Sequence, residues 1–323
     1  MTPPLPSLPD PPRIAPVPAD VVRPLWSVMI PTYNCANYLR QTLESVLAQD
    51  PGPDEMQIEV VDDRSTKDDP EAVVRERGTG RVGFYRKARN EGATANFNTC
   101  IERSRGQLVH ILHGDDWVLP GFYQRIKAVA QQFEACALYS TRCFFADEAG
   151  HFTFVSRRVP ELETAPARDA RSFYYVIPVQ FASIVVRRSF YEAEGMFNPG
   201  IIHTADWEMW SRAVTAGGGM ILPEVLAAYR IFSSNETGRL ARTGENLIHR
   251  QRMIGILASR HSDFDARGAS RQLWDIAVEQ ERRFRQLGDP EASAANRRFW
   301  TTHASFRFRA RQALQALRGK IGT

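Results

Sequence analysis

The chain has 323 residues, 43% of them hydrophobic, with 41 basic and 37 acidic side chains and a formal charge of +4. That length and composition can bury a full core without disulfide staples, and a charge so small for the size says less than its distribution. Cys35, Cys100, Cys136 and Cys143 form no CxxC pair and no zinc spacing, and they read as reduced thiols of a cytosolic protein. No apolar run approaches the roughly 18 to 20 residues of a membrane span, and the N-terminus lacks the basic-then-apolar order of a signal peptide. The expectation is therefore a cytoplasmic chain, neither secreted by that route nor integral to a membrane.

Residues 1–24 are crowded with proline and lack an apolar period, which predicts an extended or disordered leader. From Trp26 the pattern changes: WSVMI reads as a buried strand, and Tyr38, Leu39, Thr42, Leu43, Val46 and Leu47 follow at helical spacing. QIEVV (57–61) is the next strand, the region from Asp68 to Arg77 a helix, and VGFYR (82–86) a third strand. A helix from Ala93 to Ser104 leads into QLVHIL (107–112), then a helix carries Ile126, Val129 and Phe133. This alternation predicts an α/β fold, a mostly parallel sheet with helices on both faces. ALYSTRCFF and HFTFVS flank a polar Asp147–Gly150 turn as a hairpin, and FASIVV (181–186) precedes a helix beginning near Asp206. Nearly everything beyond Leu240 reads as helix. The expected organisation is a leader (1–24), a catalytic domain (25–239) and a basic helical C-terminal region (240–323).

In such sheets ligands sit beyond the carboxyl ends of the strands, which directs attention to the loops PTYN (31–34), DDRST (62–66) and HGDDW (113–117). The first loop has no glycine. A dinucleotide fold needs GxGxxG there and a P-loop needs GxxxxGK, so both are disfavoured, and a metal ion becomes the candidate for neutralising a ligand's phosphates. Asp115 and Asp116 end an apolar strand, where adjacent carboxylates repel and a cation would stabilise the pair; a plain polar turn is the alternative. Asp62 and Asp63 could receive a base or ribose, or simply start a helix with Ser65, Thr66 and Asp68 as caps. Tyr33 could stack on a base or be core. Asp206, in HTADWEMW, is by itself a good helix N-cap.

Four segments in order, VMIPTYNCANYLRQTLESVLAQ, EVVDDRST, NEGATANFNTCIERSRGQLVHILHGDDWVLP and SIVVRRSFYEAEGMFNPGIIHTADWEMWSR, resemble the family 2 glycosyltransferases, whose catalytic domain has the GT-A-type fold. The resemblance runs from Ser27 to about Ser234. It implies an inverting enzyme in which Pro31, Thr32, Tyr33, Asp63, Asn90 and Gly92 line the nucleotide-sugar pocket. Asp115 would meet the ribose or the metal, Asp116 would bind Mn2+ or Mg2+, and Asp206 would be the catalytic base. The implied donor is a nucleotide-diphosphate sugar, with uridine the favoured base, and the acceptor a glycan or lipid-linked hydroxyl in polysaccharide or glycolipid synthesis. Three positions depart from the family pattern. His113 stands where many members have a first aspartate, Arg64 where DDGS has glycine, and Phe232 near a position that often holds a histidine.

A rival reading on the same fold is a nucleotide-sugar-binding protein without turnover. Nucleic acid is not an expected partner, because the aromatic-plus-basic strand motif of an RNA-recognition sheet is missing. After Glu291 there is no acidic residue, while seven basic ones follow, from Arg297 to Lys320. Phe299, His303, Phe306, Ala310, Leu314 and Leu317 recur at three- and four-residue steps in that tail. One helix over Asn296–Lys320 would carry them as a stripe, for docking on an anionic membrane surface or for packing as core.

Overall fold

The computed structural model describes residues 9–168, 170–232 and 236–321, and the chain divides into two compact units, a larger one ending at Phe232 and a helical one from Ser233 on. The larger unit is built on one nine-stranded sheet. In chain order it contains β1 (Trp26–Thr32), α1 (Ala36–Leu47), β2 (Met56–Asp62), α2 (Pro70–Gly78), β3 (Gly83–Arg86), α3 (Ala93–Arg103), β4 (Leu108–Ile111), β5 (Trp117–Val118) and α4 (Phe122–Gln132). It continues through β6 (Leu138–Ala146), β7 (Phe152–Val155), β8 (Ile184–Arg187), α5 (Arg188–Glu194), α6 (Ala205–Gly217) and β9 (Gly219–Arg230).

Along the sheet the order is β3-β2-β1-β4-β8-β6-β9-β5, with β7 paired to β6. Every residue of β1, β2 and β4 is buried, which requires cover on both faces and explains why these strands read as continuous apolar runs. The first four strands are parallel; β8 then runs antiparallel to β4, and the remainder is mixed. At that reversal His110 is wholly buried between Tyr123 Oη and the carbonyl of Ala182, each 3.1 Å away, and burial lowers its pKa to about 3. A neutral ring serves both partners there, accepting from one and donating to the other. The β6–β7 hairpin forms across Asp147–Gly150 as its polar turn suggests. FASIVV is only half strand, since Phe181–Ser183 form a 3-10 turn before β8.

A disordered leader does not describe the chain from Pro9 to Pro24. This stretch is extended and tied down: Pro9 O accepts from Asn198 Nδ2 at 2.6 Å, Pro12 O from Met196 N at 2.7 Å, and Ala15 O from Arg188 Nη1 at 3.3 Å. Prolines cannot donate, so the carbonyls of the strap find donors on the loop between α5 and α6 and on α5 itself, while Arg23 near its end donates to Arg105 O and Gly106 O, each at 2.9 Å. Composition showed the lack of helix and strand but not these distant donors. Residues 1–8 of the predicted leader lie outside the described residues.

The helical unit comprises α7 (Glu236–Thr243), α8 (Glu245–Arg260), α9 (Ala266–Gln286), α10 (Pro290–His303) and α11 (Phe306–Ile321). Since α7 packs on α8 and α10, the chain joins this unit before the expected boundary after Arg239. The single helix foreseen over Asn296–Lys320 is corrected. The chain turns extended at Ala304, and Phe308, which the stripe omits, is buried against Trp274 and Trp300. Phe299 is 5% exposed, whereas Phe306 and Leu314 are 78% and 59% exposed. Periodicity alone could not reveal the break, because two helices in succession preserve the same three- and four-residue steps. No helix of the described residues is long and apolar enough to cross a membrane.

Candidate active site

The four loops after β1, β2, β3 and β4 emerge side by side, because those strands are neighbours in the sheet. Backbone and side-chain hydrogen bonds join them. Asp63 N donates to Thr32 O at 2.9 Å, Asn90 Nδ2 to Asp63 O at 3.0 Å, and Gly114 N to Pro31 O at 3.1 Å. Pro31, Thr32, Asp63, Asn90, Gly92, Asp115 and Asp116 are thus brought to one end of the sheet, and Tyr33 stands there 49% exposed. A ring so exposed is not part of the core.

The two aspartates after β2 have internal duties. Asp62 is buried, pairs with Arg86 Nε at 2.7 Å and accepts from Ser65 Oγ at 2.6 Å. Asp63 accepts from the amides of Glu91 and Gly92 at 3.0 and 2.8 Å and lies 3.3 Å from the buried Lys87 Nζ. Its carboxylate therefore fixes the Asn90–Gly92 turn that opens α3. Between them and α2, Arg64 takes φ 65, the left-handed conformation for which glycine is the unstrained residue. An arginine there costs of order 1 kcal/mol in backbone strain, and its side chain is exposed at the edge of the site.

Beyond β4 the chain turns sharply through His113–Asp116, with Asp116 N donating to His113 O at 3.0 Å. Position 114 must be glycine: a Cβ there would sit 2.7 Å from Thr32 Cγ2 and 3.0 Å from Cys35 Sγ. Asp116 is 1% exposed, and its Oδ1 accepts from Arg230 N at 2.9 Å while its Oδ2 is buried without a hydrogen-bond partner. Burial pushes the Asp115 carboxyl up to about 6; burial, and then the charge of Asp115, raises Asp116 further still. His113 is pulled down to about 4 by burial, so the imidazole is neutral, and its Nε2 is also buried without a partner. Ligand atoms of His113, Asp115 and Asp116 all lie within 4.8 Å of one another. A buried and a half-buried carboxylate that ionise only at a cost, two partnerless buried polar atoms and a neutral imidazole are a donor set that fits a divalent cation. The sequence placed the metal on the aspartates; His113 joins them here.

Arg230, at the end of β9, is the organiser that sequence reasoning missed. Its guanidinium is buried over the rings of Tyr38 and Trp117, at 4.6 and 4.8 Å. It donates to Asp115 O at 3.0 Å, Glu148 O at 2.7 Å and Gln41 Oε1 at 2.6 Å. Each cation–π contact is worth about 0.5 to 2 kcal/mol depending on desolvation, and the hydrogen bonds lock the aspartate turn against α1 and the hairpin. Phe232 stacks on Tyr38 at 5.7 Å, extending the column of rings. The departure at position 232 thus supplies packing in place of an imidazole. A signal existed in the sequence, the Tyr229-Arg230 pair, but its partners lie up to 189 residues away.

Asp206 occupies the first turn of α6, whose N-cap is Thr204, so the capping explanation for Asp206 does not hold. Its Oδ1 accepts from Trp207 N at 2.8 Å, and it sits at the positive end of the helix. An aromatic cluster bridges this helix to the His113–Asp116 turn: Phe181 packs on His113 at 4.4 Å and edge-on to Trp210 at 5.1 Å, with Phe97 and Phe197 completing it. The charges of Asp116, Asp115 and Asp206 all act on the half-buried phenol of Tyr229, raising its pKa beyond the effect of burial.

A parallel half, a mixed half and an aspartate turn between them are the architecture of a GT-A-type glycosyltransferase. The chain belongs to glycosyl transferase family 2, which matches residues 27–193. It is 27% identical over 266 residues to an uncharacterized protein of Mycobacterium tuberculosis, covering 78% of this chain and 82% of that one. Among solved structures it resembles S. aureus TarS 1-349 in complex with UDP-GlcNAc (TM-score 0.55, 15% identity, 87% of this chain and 76% of that chain). It also resembles the mannosyltransferase PcManGT from Pyrobaculum calidifontis in complex with GDP-Man and Mn2+ (TM-score 0.54, 19% identity, 94% and 82%).

Proposed function

We propose that this glycosyltransferase works with inversion, moving a sugar from a nucleotide-diphosphate donor, a UDP-sugar, to the hydroxyl of a glycan or lipid-linked acceptor. The observation that carries the reading is the His113–Asp115–Asp116 cluster, joined through packed aromatic rings to the helix of Asp206. Asp206 accepts the proton of the acceptor hydroxyl as its oxygen attacks C1 of the donor sugar, and the bond from C1 to the diphosphate breaks on the opposite side. Asp115, Asp116 and His113 would hold Mn2+ or Mg2+. When bound, such an ion supplies positive charge against the departing diphosphate. Pro31, Thr32 and Tyr33 would receive the base, and Asp63 would act by holding Asn90 and Gly92 in place. No covalent sugar–enzyme bond is needed.

The test is a panel of UDP-GlcNAc, UDP-glucose, UDP-galactose and GDP-mannose, read by thermal shift and by hydrolysis with Mn2+, Mg2+ or EDTA. A UDP-sugar should raise the melting temperature in the presence of metal and be slowly hydrolysed, since a ligand that binds only the folded state stabilises it. If every sugar nucleotide leaves the melting curve unmoved with metal present, the donor assignment is wrong. Binding without hydrolysis or transfer would favour the rival reading of a binding protein.

A peripheral membrane role is proposed for α11, where Phe306 and Leu314 stand exposed among Arg307, Arg309 and Arg311. Polybasic attraction is worth about 1 kcal/mol per residue near an anionic surface and fades with salt. Full-length protein should sediment with phosphatidylserine-rich but not phosphatidylcholine vesicles at low salt, and the Phe306→Ser/Leu314→Ser double variant should stay in the supernatant. Equal sedimentation of both proteins would remove the membrane role.

A further inference from the structure

We propose that the stacked pair Phe145–Phe154 on the β6–β7 hairpin is an acceptor platform, a subsite that takes the C–H face of a pyranose ring in a glycan acceptor. The inference rests on the transferase reading and adds to it a chemical class for the acceptor.

Phe154 lies on β7, which among the described residues pairs only with β6, and it is 55% exposed. Its ring stacks on Phe145 at 4.2 Å and 16°, and Phe145 meets Tyr229 edge-to-face at 5.7 Å and 83°. Phe145 and Tyr229 are also register partners between β6 and β9. Tyr229 precedes Arg230, whose backbone N–H donates to Asp116 Oδ1 at 2.9 Å, and β9 pairs there with β5, directly after the aspartate turn. The platform is therefore two rings long and leads through Tyr229 to the end of β9, where the next residue holds Asp116.

Packing does not account for the exposure of Phe154. A register shift at Phe145/Ala146 sends the other β7 aromatic, Phe152, to a separate stack, on Phe144 at 4.2 Å and Trp117 at 6.1 Å. That stack reaches Trp117 beneath Arg230, whereas among the described residues Phe154 has one ring partner, Phe145. Edge strands are ordinarily blunted by charge, so a bare phenyl on one is a liability that a ligand would offset.

The surroundings select a sugar over a lipid chain. From β7 the backbone runs on to Arg157, which with Glu161, Arg171, Ser172, Tyr175 and Val176 lines a surface pocket of about 420 Å³. Beside that pocket the carbonyl of Phe173 accepts from Trp207 Nε1, the residue after Asp206. A lipid tail needs a continuous apolar track. Here one aromatic face is followed, three residues on, by a pocket whose lining mixes Arg157, Glu161, Arg171 and Ser172 with Tyr175 and Val176, a mixture that suits the apolar face and polar rim of a pyranose, whose C–H groups carry partial positive charge toward the π cloud.

Saturation-transfer NMR on the full-length protein in EDTA, without nucleotide, tests the platform with cellotetraose, maltotetraose, mannotetraose and chitotetraose. At least one should bind the wild type with signals on ring C–H groups. Phe154→Ala should bind it about tenfold more weakly, the loss of one stacking contact, while Phe154→Trp should restore it, all three proteins melting together. The proposal is overturned if none of the tetraoses binds the wild type, if Phe154→Ala binds equally well, or if Phe154→Ala loses sedimentation with vesicles but keeps its sugar affinity. Because the measurement contains neither metal nor donor, its outcome is separate from that of the sugar-nucleotide panel.

Discussion

Asp206→Asn is expected to lower turnover by about 10² to 10⁴, the usual contribution of a positioned general base, while leaving the fold and donor affinity near those of the wild type. The structure makes this a clean substitution. Thr204 is the N-cap of α6, and the asparagine oxygen can still accept from Trp207 N, so helix initiation is preserved. The buried anchors of the helix, Trp207, Trp210 and the Glu208–Arg212 pair at 2.9 Å, are untouched. Turnover of a responsive UDP-sugar, followed beside its calorimetric affinity, separates the two effects. A folded Asp206→Asn protein with turnover close to wild type would sink the assignment of the base.

Replacing Asp116 by alanine should abolish metal-dependent binding of a nucleoside diphosphate, because Asp115 and a neutral His113 leave one carboxylate to compete with water for a divalent ion. This substitution also strips Arg230 N of its acceptor, so some loss of stability is expected, about 1 to 3 kcal/mol for an unsatisfied buried donor. Asp116→Asn separates the two consequences, since an amide oxygen can keep the Arg230 hydrogen bond while removing the charge. Calorimetry with UDP in Mn2+ and in EDTA is the measurement. In the variants the two affinities should coincide at the EDTA value of the wild type. A wild-type affinity indifferent to metal would remove the ion from the mechanism.

Much of this was legible in the sequence because it is local. Runs such as WSVMI and QLVHIL had to be strands buried on both faces, since continuous apolar stretches bounded by polar loops have no other stable place in an alternating chain. Position at a strand's carboxyl end then carried Pro31, Thr32, Tyr33, Asp63, Asp115 and Asp116 to one rim without knowledge of any contact. The resemblance supplied what spacing could not, a reason to look at Asp206.

What only the tertiary structure decided is which distant groups satisfy one another. Strand order places β5 beside β9 and so brings Arg230 between Tyr38 and Trp117, a buried cation whose partners no window of sequence contains. The same order makes Asp63 the clamp of the Asn90–Gly92 turn and stacks His113 between Phe97 and Phe181 beside Asp115 and Asp116. It gives the prolines of the leader their donors and breaks the C-terminal stripe at Ala304, where burying Phe308 outweighs one uninterrupted helix. Periodicity reports which face of a segment is apolar. What that face meets depends on how the strands and helices are ordered in space, and buried polar groups, which must find partners wherever the fold puts them, are the side chains whose roles the order decides.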